Sequence, residues 1–136
     1  MGRWIYECSA IDPRDTSCTW KVGIEEQYFR FLQSHGDERR LARLKLVKET
    51  LDDPIRIYEG WSRLDKDDSY AYVGRPRHNF HSGSIELPAP PGRLFLVFVL
   101  LGGTIDEWTW RPILAEDTPD TPQGVEGAKL IWQKPQ

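Results

Sequence analysis

The alternation of hydrophobic and polar positions divides the chain into a helical first half and a strand-rich second half. Apolar residues recur at helical spacing over 24–33 and again over 41–51. Gly36 is suited to end the first helix, and Asp37 to begin the second. Pro54 should end the second helix, because proline disfavours helical geometry in the residue before it. The pattern therefore predicts two helices before residue 54.

After Pro54 the period changes to that of β-strands. The run 93–101 is almost continuously apolar from Leu94 onward, which is typical of a strand buried on both faces. Gly102 and Gly103 then form a two-residue hairpin signal into a return strand. The other predicted strands are 4–8, 19–22, 55–58, 69–73, 84–87, 104–110 and 129–133.

Two stretches lack an apolar period and are predicted to be loops. They are 75–83, which contains two histidines, and the mobile acidic segment 115–127. The order of elements predicts one α+β domain over residues 1–136. In it, two N-terminal helices pack on a mostly antiparallel sheet of about four to five strands.

Composition narrows the class of protein. The longest apolar run, 94–101, is far shorter than the roughly 20 residues of a membrane-spanning helix, so no membrane partner is expected. No apolar signal core occupies the first residues, and we expect a cytoplasmic location. Without a secretory context, Cys8 and Cys18 are expected to be free thiols.

Charge is unevenly distributed along the chain. The net charge is −3, which excludes a broadly basic nucleic-acid-binding surface. Residues 69–111 nevertheless contain four arginines and two histidines against three acidic residues. Phosphate-loop, dinucleotide-binding and metalloprotease motifs are absent from the sequence. His78 and His81 have no convincing third ligand, so neither a metal nor another cofactor is predicted.

The basic stretch is interleaved with aromatic residues. Arg56 and Tyr58 lie on one predicted strand, and Tyr72 lies on the next. Three residues with cationic or titratable side chains follow that strand: Arg75, Arg77 and His78. Arginine can hold two phosphate oxygens, histidine can transfer protons near neutral pH, and aromatic rings can stack on bases. Metal-independent RNA cleavage needs this inventory of residue types, although many loops also contain it.

The order of elements also resembles the barnase, EndoU, colicin and RelE group of nucleases, in particular its phage and polymorphic-toxin branch. The resemblance covers about residues 24–113. It rests on a histidine-bearing helical half, the segment Leu51-Asp52-Asp53-Pro54-Ile55-Arg56-Ile57, the long apolar strand, and the two-glycine turn into the last strand. It implies a small α+β fold and a metal-independent endoribonuclease acting on tRNA or mRNA, toxin-like and neutralised by a protein partner.

The resemblance also implies roles for single residues. His35 would match the helix-borne acid or base, Arg56 the polar residue of the first strand, and Thr109 the hydroxyl near the last strand. Tyr72 and Arg75 are looser matches. The candidate catalytic set is thus His35, Arg56, Arg75 and Thr109, and the candidate RNA-binding set is Tyr58, Tyr72, Arg77, His78 and Trp110. The chain departs from the group in three respects: Ser34 precedes His35, Trp110 stands where tyrosine is common, and the net charge is negative.

Two other interpretations stay open at this stage. The acidic balance, the six tryptophans and the acidic segment 116–126 are also typical of a non-enzymatic interaction module, such as an adaptor, inhibitor or immunity-like protein that binds a basic partner. A small-molecule pocket lined by Trp108, Trp110 and Tyr72 is a third interpretation. Trp108 and Trp110, two positions apart on a strand, should face the same side, as core or a packed rim.

Overall fold

A β-hairpin and then a run of short helices precede the strands of the main sheet. The computed structural model describes residues 4–36, 38–61, 69–82, 85–112 and 128–135. The elements in these ranges are β1 (Trp4–Asp12), β2 (Asp15–Glu25), α1 (Glu26–Ser34), α2 (Glu38–Ala42), α3 (Leu44–Asp52), β3 (Arg56–Trp61), β4 (Ser69–Gly74), β5 (His78–Ser82), β6 (Ile85–Pro88), β7 (Arg93–Leu100), β8 (Ile105–Pro112) and β9 (Lys129–Gln133).

The main sheet has five strands in the order β8-β7-β4-β3-β9, and every neighbouring pair is antiparallel. The hairpins β1-β2 and β5-β6 form two further two-stranded sheets. This confirms the α+β class and the mostly antiparallel sheet. The helices are not N-terminal as predicted, because the β1-β2 hairpin precedes them.

Strand β7 is buried on both faces, as its apolar run predicted. Its side chains alternate between two hydrophobic clusters. Phe95, Val97 and Val99 belong to the larger cluster, together with helix residues such as Leu46. Leu94, Leu96 and Phe98 belong to a smaller cluster with Tyr58, Ala71 and Val73 from the neighbouring strands. The sheet therefore has a helix-covered face and a second apolar face.

The second predicted helix is broken into α2 and α3 at Arg43, whose backbone leaves regular helical geometry at φ −86° and ψ 4°. The Trp108 indole donates a hydrogen bond to the carbonyl oxygen of Arg40 (3.0 Å), which also accepts one from the backbone N–H of Arg43 (3.2 Å). In a continuous helix that carbonyl would accept the N–H of Leu44. Docking of Trp108 thus accompanies the break.

The β1-β2 hairpin is joined to the turn between β7 and β8. The N–H of Gly23 donates to the carbonyl of Gly103 (3.0 Å), and the Trp4 ring packs against both glycines. A Cβ at Gly23 would lie 2.5 Å from the Trp4 ring, and Gly103 has φ +95°. The backbone conformation of Gly103 favours glycine, and at Gly23 any larger residue would collide with the Trp4 ring. The contact brings the start of α1 beside the start of β8.

Several local predictions need correction. The predicted loop 75–83 contains β5, because His78–Ser82 pairs with β6 although its sequence shows no apolar alternation. The first helix starts at Glu26, since Ile24 belongs to β2 and pairs with Tyr6. The acidic segment 115–127 and the Asp37 cap lie outside the described residues.

Other predictions are confirmed. The strand 129–133 coincides with β9, and 4–8 and 19–22 fall within β1 and β2. Cys8 is buried, Cys18 is exposed, and both are free thiols. Within the described ranges no helix is both long enough and apolar enough to cross a membrane.

Candidate functional site: a cationic groove at one end of the sheet

A cationic groove lies at the end of the sheet where β3 begins and β4 and β9 end. It encloses about 250 Å³. Its lining residues are Ile55, Arg56, Arg75, Gln133, Lys134 and Pro135. We call it the Arg56 groove. It brings together two of the four predicted catalytic residues, Arg56 and Arg75.

The antiparallel pairing of β3 explains this convergence. Arg56, the first residue of β3, lies opposite Val73 of β4 on one side and Gln133 of β9 on the other. Backbone hydrogen bonds continue this pairing one residue beyond β3. The Ile55 N–H donates to the carbonyl oxygen of Val73 (2.8 Å), and the Lys134 N–H donates to the carbonyl oxygen of Ile55 (2.9 Å). The start of β3 and the ends of its two neighbours must therefore meet at one edge.

The groove has more cationic than anionic groups. Lys134 Nζ contacts both oxygens of Asp53, at 2.8 and 3.1 Å, so these two charges compensate each other. Arg56 is half-buried and Arg75 is exposed, and neither has an ion-pair partner among the described residues. The two guanidinium groups give the groove a net positive charge and ten N–H donors in total.

A smaller depression of about 40 Å³ adjoins the groove and shares Arg75 with it. Glu49, Thr50 and Asp53, from the end of α3 and its C-cap, line its other side with Pro76. The Thr50 side chain packs against Gly74, where an added Cβ would lie 2.9 Å from Thr50 Oγ1. That hydroxyl is buried and has no hydrogen-bond partner among the described residues. The depression thus places two carboxylates beside the cation Arg75.

The other two predicted catalytic residues lie elsewhere. His35 caps the C-terminus of α1, where its Nδ1 lies 2.9 Å from the Phe31 carbonyl oxygen and its ring stacks on Phe31 at 4.0 Å. It lines neither the Arg56 groove nor the adjoining depression. This is the ordinary role of a histidine at a helix end.

Thr109 shares a sheet face with Arg56 but lies far across it. The pairings run from Arg56 to Val73, then Leu96, then Thr109. Three interstrand spacings separate the ends of that row, a distance of about 14 Å. The Thr109 hydroxyl donates to the Trp110 carbonyl at 3.3 Å. Thr109 is not among the residues that line the Arg56 groove.

The two tyrosines predicted to bind substrate are core residues, which corrects that assignment. Tyr58 is 3% exposed and belongs to the smaller apolar cluster. Tyr72 is 0% exposed; its hydroxyl donates to the Ile11 carbonyl (2.6 Å) and accepts from the Trp20 indole (3.0 Å). Burial raises the pKa of the Tyr72 phenol. Neither ring is available to stack on a base.

The remaining candidates line neither the Arg56 groove nor the adjoining depression. Arg77 and His78 are exposed at the start of the β5-β6 hairpin, where the Arg77 carbonyl accepts the N–H of Ala89. Trp110 is half-buried and meets Phe95 edge to face at 5.1 Å. Trp108 is 1% exposed, so the prediction that both tryptophans pack with the core is confirmed.

Sequence reasoning missed Lys134, Gln133, Glu49 and Asp53. The Gln-Lys pair at the end of β9 was a usable signal, because an edge strand pairing with β3 must end beside Arg56. The two carboxylates gave no such signal, since acidic residues near a helix end are common on exposed surfaces. Comparison with protein-family models, curated proteins and solved structures finds no match for this chain.

Proposed function

We propose that the protein binds the phosphodiester backbone of RNA in the Arg56 groove. The observation that carries the proposal is that Arg56 and Arg75 line one groove and that neither guanidinium group forms an ion pair with a residue that the structure describes. A guanidinium group donates two parallel hydrogen bonds to phosphate oxygens. Two such groups side by side can hold one phosphate or two consecutive ones.

The shape and lining of the groove favour a nucleic-acid backbone over a base. It is open to solvent and is lined by aliphatic and polar groups rather than aromatic rings. The choice of RNA as the ligand comes from the resemblance to the nuclease group. The groove is compatible with that choice because its guanidinium groups can bind phosphates. Backbone contacts of this type position a ligand without reading its sequence.

The endoribonuclease hypothesis also needs a proton acceptor near the held phosphate. His35 is not in the groove, whereas Glu49 lies in the depression that shares Arg75. Asp53 lies there too but is engaged by Lys134. We therefore propose Glu49, rather than His35, as the group whose removal should be tested for loss of cleavage.

Binding is tested by fluorescence anisotropy with a labelled single-stranded RNA over a series of salt concentrations. The variant is Arg56→Gln/Arg75→Gln, and the control is Arg30→Gln/Arg39→Gln, which removes two exposed arginines from α1 and α2. Loss of two phosphate contacts should reduce the slope of log K against log salt by about 1.4. The control should leave the slope unchanged; equal effects of both variants would refute the site.

Cleavage is tested on the same RNA and on tRNA by gel electrophoresis with EDTA present. Wild-type protein should cut, Glu49→Gln should not, and His35→Ala should retain activity. Loss of activity in His35→Ala with activity kept in Glu49→Gln would show that the sequence-based assignment was right. If the RNA stays intact at high protein concentration, the endoribonuclease hypothesis is wrong and only the proposal of RNA binding remains.

A further inference from the structure

An ion pair joins the Arg56 groove to the depression beside it. Lys134 lines the groove, and its Nζ contacts the two carboxylate oxygens of Asp53 at 2.8 and 3.1 Å. Asp53 in turn lines the adjoining depression, together with Arg75. The carboxylate therefore occupies the third cation of the groove in this structure.

Backbone hydrogen bonds hold both members of this pair in place. The Lys134 N–H donates to the carbonyl oxygen of Ile55 (2.9 Å), which continues the pairing of β3 with β9. Asp53 is the C-cap of α3, and its N–H donates to the carbonyl oxygen of Glu49 in the last turn (3.1 Å). The two side chains can therefore separate while the strand and the helix keep their positions.

The contact between the two side chains is weak because both are open to solvent. The side chain of Lys134 is 47% exposed and that of Asp53 is 67% exposed. Water competes for both charges at this exposure, so an ion pair of this kind contributes little net free energy. The lysine stem is flexible, and its ammonium group has three N–H donors that can turn towards another acceptor. Lys134 can therefore leave Asp53 easily.

A phosphate bound in the Arg56 groove would compete with Asp53 for this ammonium group. Arg56 and Arg75 would hold the phosphate among the lining residues, and Lys134 is one of these. The phosphate then lies within reach of the lysine stem, and its negative charge repels the carboxylate of Asp53. That carboxylate can be hydrated in place of its contact with Lys134, since two-thirds of its side chain is already exposed.

We propose that Lys134 is a third phosphate-binding residue of the Arg56 groove, which Asp53 holds in the free protein and which transfers to an RNA phosphate when RNA binds. This inference rests on the proposed binding of RNA in the groove. Lysine binds phosphate as a point charge and adds to the bidentate contacts of the two arginines. Asp53 weakens RNA binding, because its contact with Lys134 has to be broken each time RNA binds.

The test compares the salt dependence of RNA binding in two double variants that leave the net charge unchanged. Lys134→Gln/Asp53→Asn removes both charges of the pair. The matched control is Lys48→Gln/Asp52→Asn, which makes the same two changes in an exposed pair with the same Nζ–Oδ distance of 2.8 Å. That pair belongs to α3 and lines neither the groove nor the adjoining depression. Fluorescence anisotropy with labelled single-stranded RNA gives the affinity at each salt concentration.

The exchange of Lys134 between two acceptors makes specific predictions for each variant. Lys134→Gln/Asp53→Asn should lose one phosphate contact, so the magnitude of the slope of log K against log salt should fall by about 0.7. Its affinity for RNA should fall by about fivefold. The single variant Asp53→Asn should bind RNA more tightly than wild type with an unchanged slope, because the wild-type complex already contains the lysine–phosphate contact. The control should match wild type in slope and affinity.

The variant Arg56→Gln/Arg75→Gln separates failure of this inference from failure of RNA binding itself. If its slope falls by about 1.4 while Lys134→Gln/Asp53→Asn keeps the wild-type slope, the groove binds RNA and the role of Lys134 is wrong. A steeper slope in Asp53→Asn would also overturn the exchange, because it would mean that Lys134 stays on Asp53 in the wild-type complex. An unchanged slope in Arg56→Gln/Arg75→Gln would refute the groove, and the exchange with it. Thermal unfolding of each variant confirms that the folded protein is being compared.

Discussion

Thr50 offers a substitution that should stabilise the protein. It is 2% exposed on α3, and its hydroxyl finds no hydrogen-bond partner in the part of the chain that the structure describes. A buried hydroxyl without a partner costs about 1–3 kcal/mol. Valine has nearly the same shape and a similar helix propensity. Thr50→Val should therefore raise the free energy of unfolding by about 1–2 kcal/mol.

The packing of Thr50 supplies a control. Its Cγ2 and Oγ1 would both lie 2.9 Å from a Cβ at Gly74, so both branches of the side chain fill the contact between α3 and β4. Thr50→Ser keeps the hydroxyl and removes the methyl group. That variant should lose about 1 kcal/mol of stability, the usual cost of one buried methyl group.

The assay is urea denaturation followed by far-ultraviolet circular dichroism, with equal denaturant slopes as the condition for comparing variants. A Thr50→Val variant that is neutral or less stable than wild type would refute the reasoning. It would mean that the hydroxyl has a partner, such as a water molecule in the depression beside Arg75. That depression, at about 40 Å³, is large enough to hold one.

Three further predictions concern the core around β1 and β2. Tyr72→Phe removes the hydroxyl that joins the Ile11 carbonyl to the Trp20 indole, and urea denaturation should show that the free energy of unfolding falls by about 1–2 kcal/mol. A fall of less than about 0.3 kcal/mol would show that these hydrogen bonds do not stabilise the fold. An aromatic disulfide reagent should label exposed Cys18 in the folded protein and buried Cys8 only in denaturant, as followed by mass spectrometry. Burial raises the pKa of Cys8 to about 11, whereas the thiol of an unfolded chain has a pKa of about 8.5. The contribution of Cys8 to the free energy of unfolding should therefore be complete below about pH 8 and decrease as the pH rises towards 11. Cys8→Ala should reduce that fall, and an unchanged pH profile would rule out Cys8 as its source.

The sequence was most informative where a pattern had one physical solution. An eight-residue apolar strand must be buried on both faces, and β7 is. The β5 strand was missed because its sequence shows no alternation of apolar and polar residues. The strand forms through backbone hydrogen bonds with β6, which such a pattern does not reveal. The break at Arg43 was likewise invisible, since it involves a hydrogen bond between Arg40 and Trp108, far apart in the chain.

Strand pairing explains which of the predicted site residues the structure brings together. Arg56 and Arg75 meet because β3 and β4 are antiparallel neighbours, a relation that a strand order implies. Tyr72 illustrates the limit. Alternation places it on one face of β4, but only the tertiary structure shows that the β1-β2 hairpin lies against that face and binds its hydroxyl. A tyrosine in a strand is therefore weak evidence for a binding surface.

The net charge of −3 conceals the separation of charge that the fold creates. Cations from β3, from the end of β4 and from the residue after β9 meet in the Arg56 groove, whereas the carboxylates of Glu25 and Asp106 meet at the opposite end of the sheet. At physiological ionic strength the screening length is about 8 Å, shorter than the separation of the two sites along β7. The cations of the Arg56 groove should therefore attract a ligand with little influence from those carboxylates. It follows that salt should weaken RNA binding at the groove, and that a substitution of Glu25 should leave the affinity of the groove for RNA unchanged.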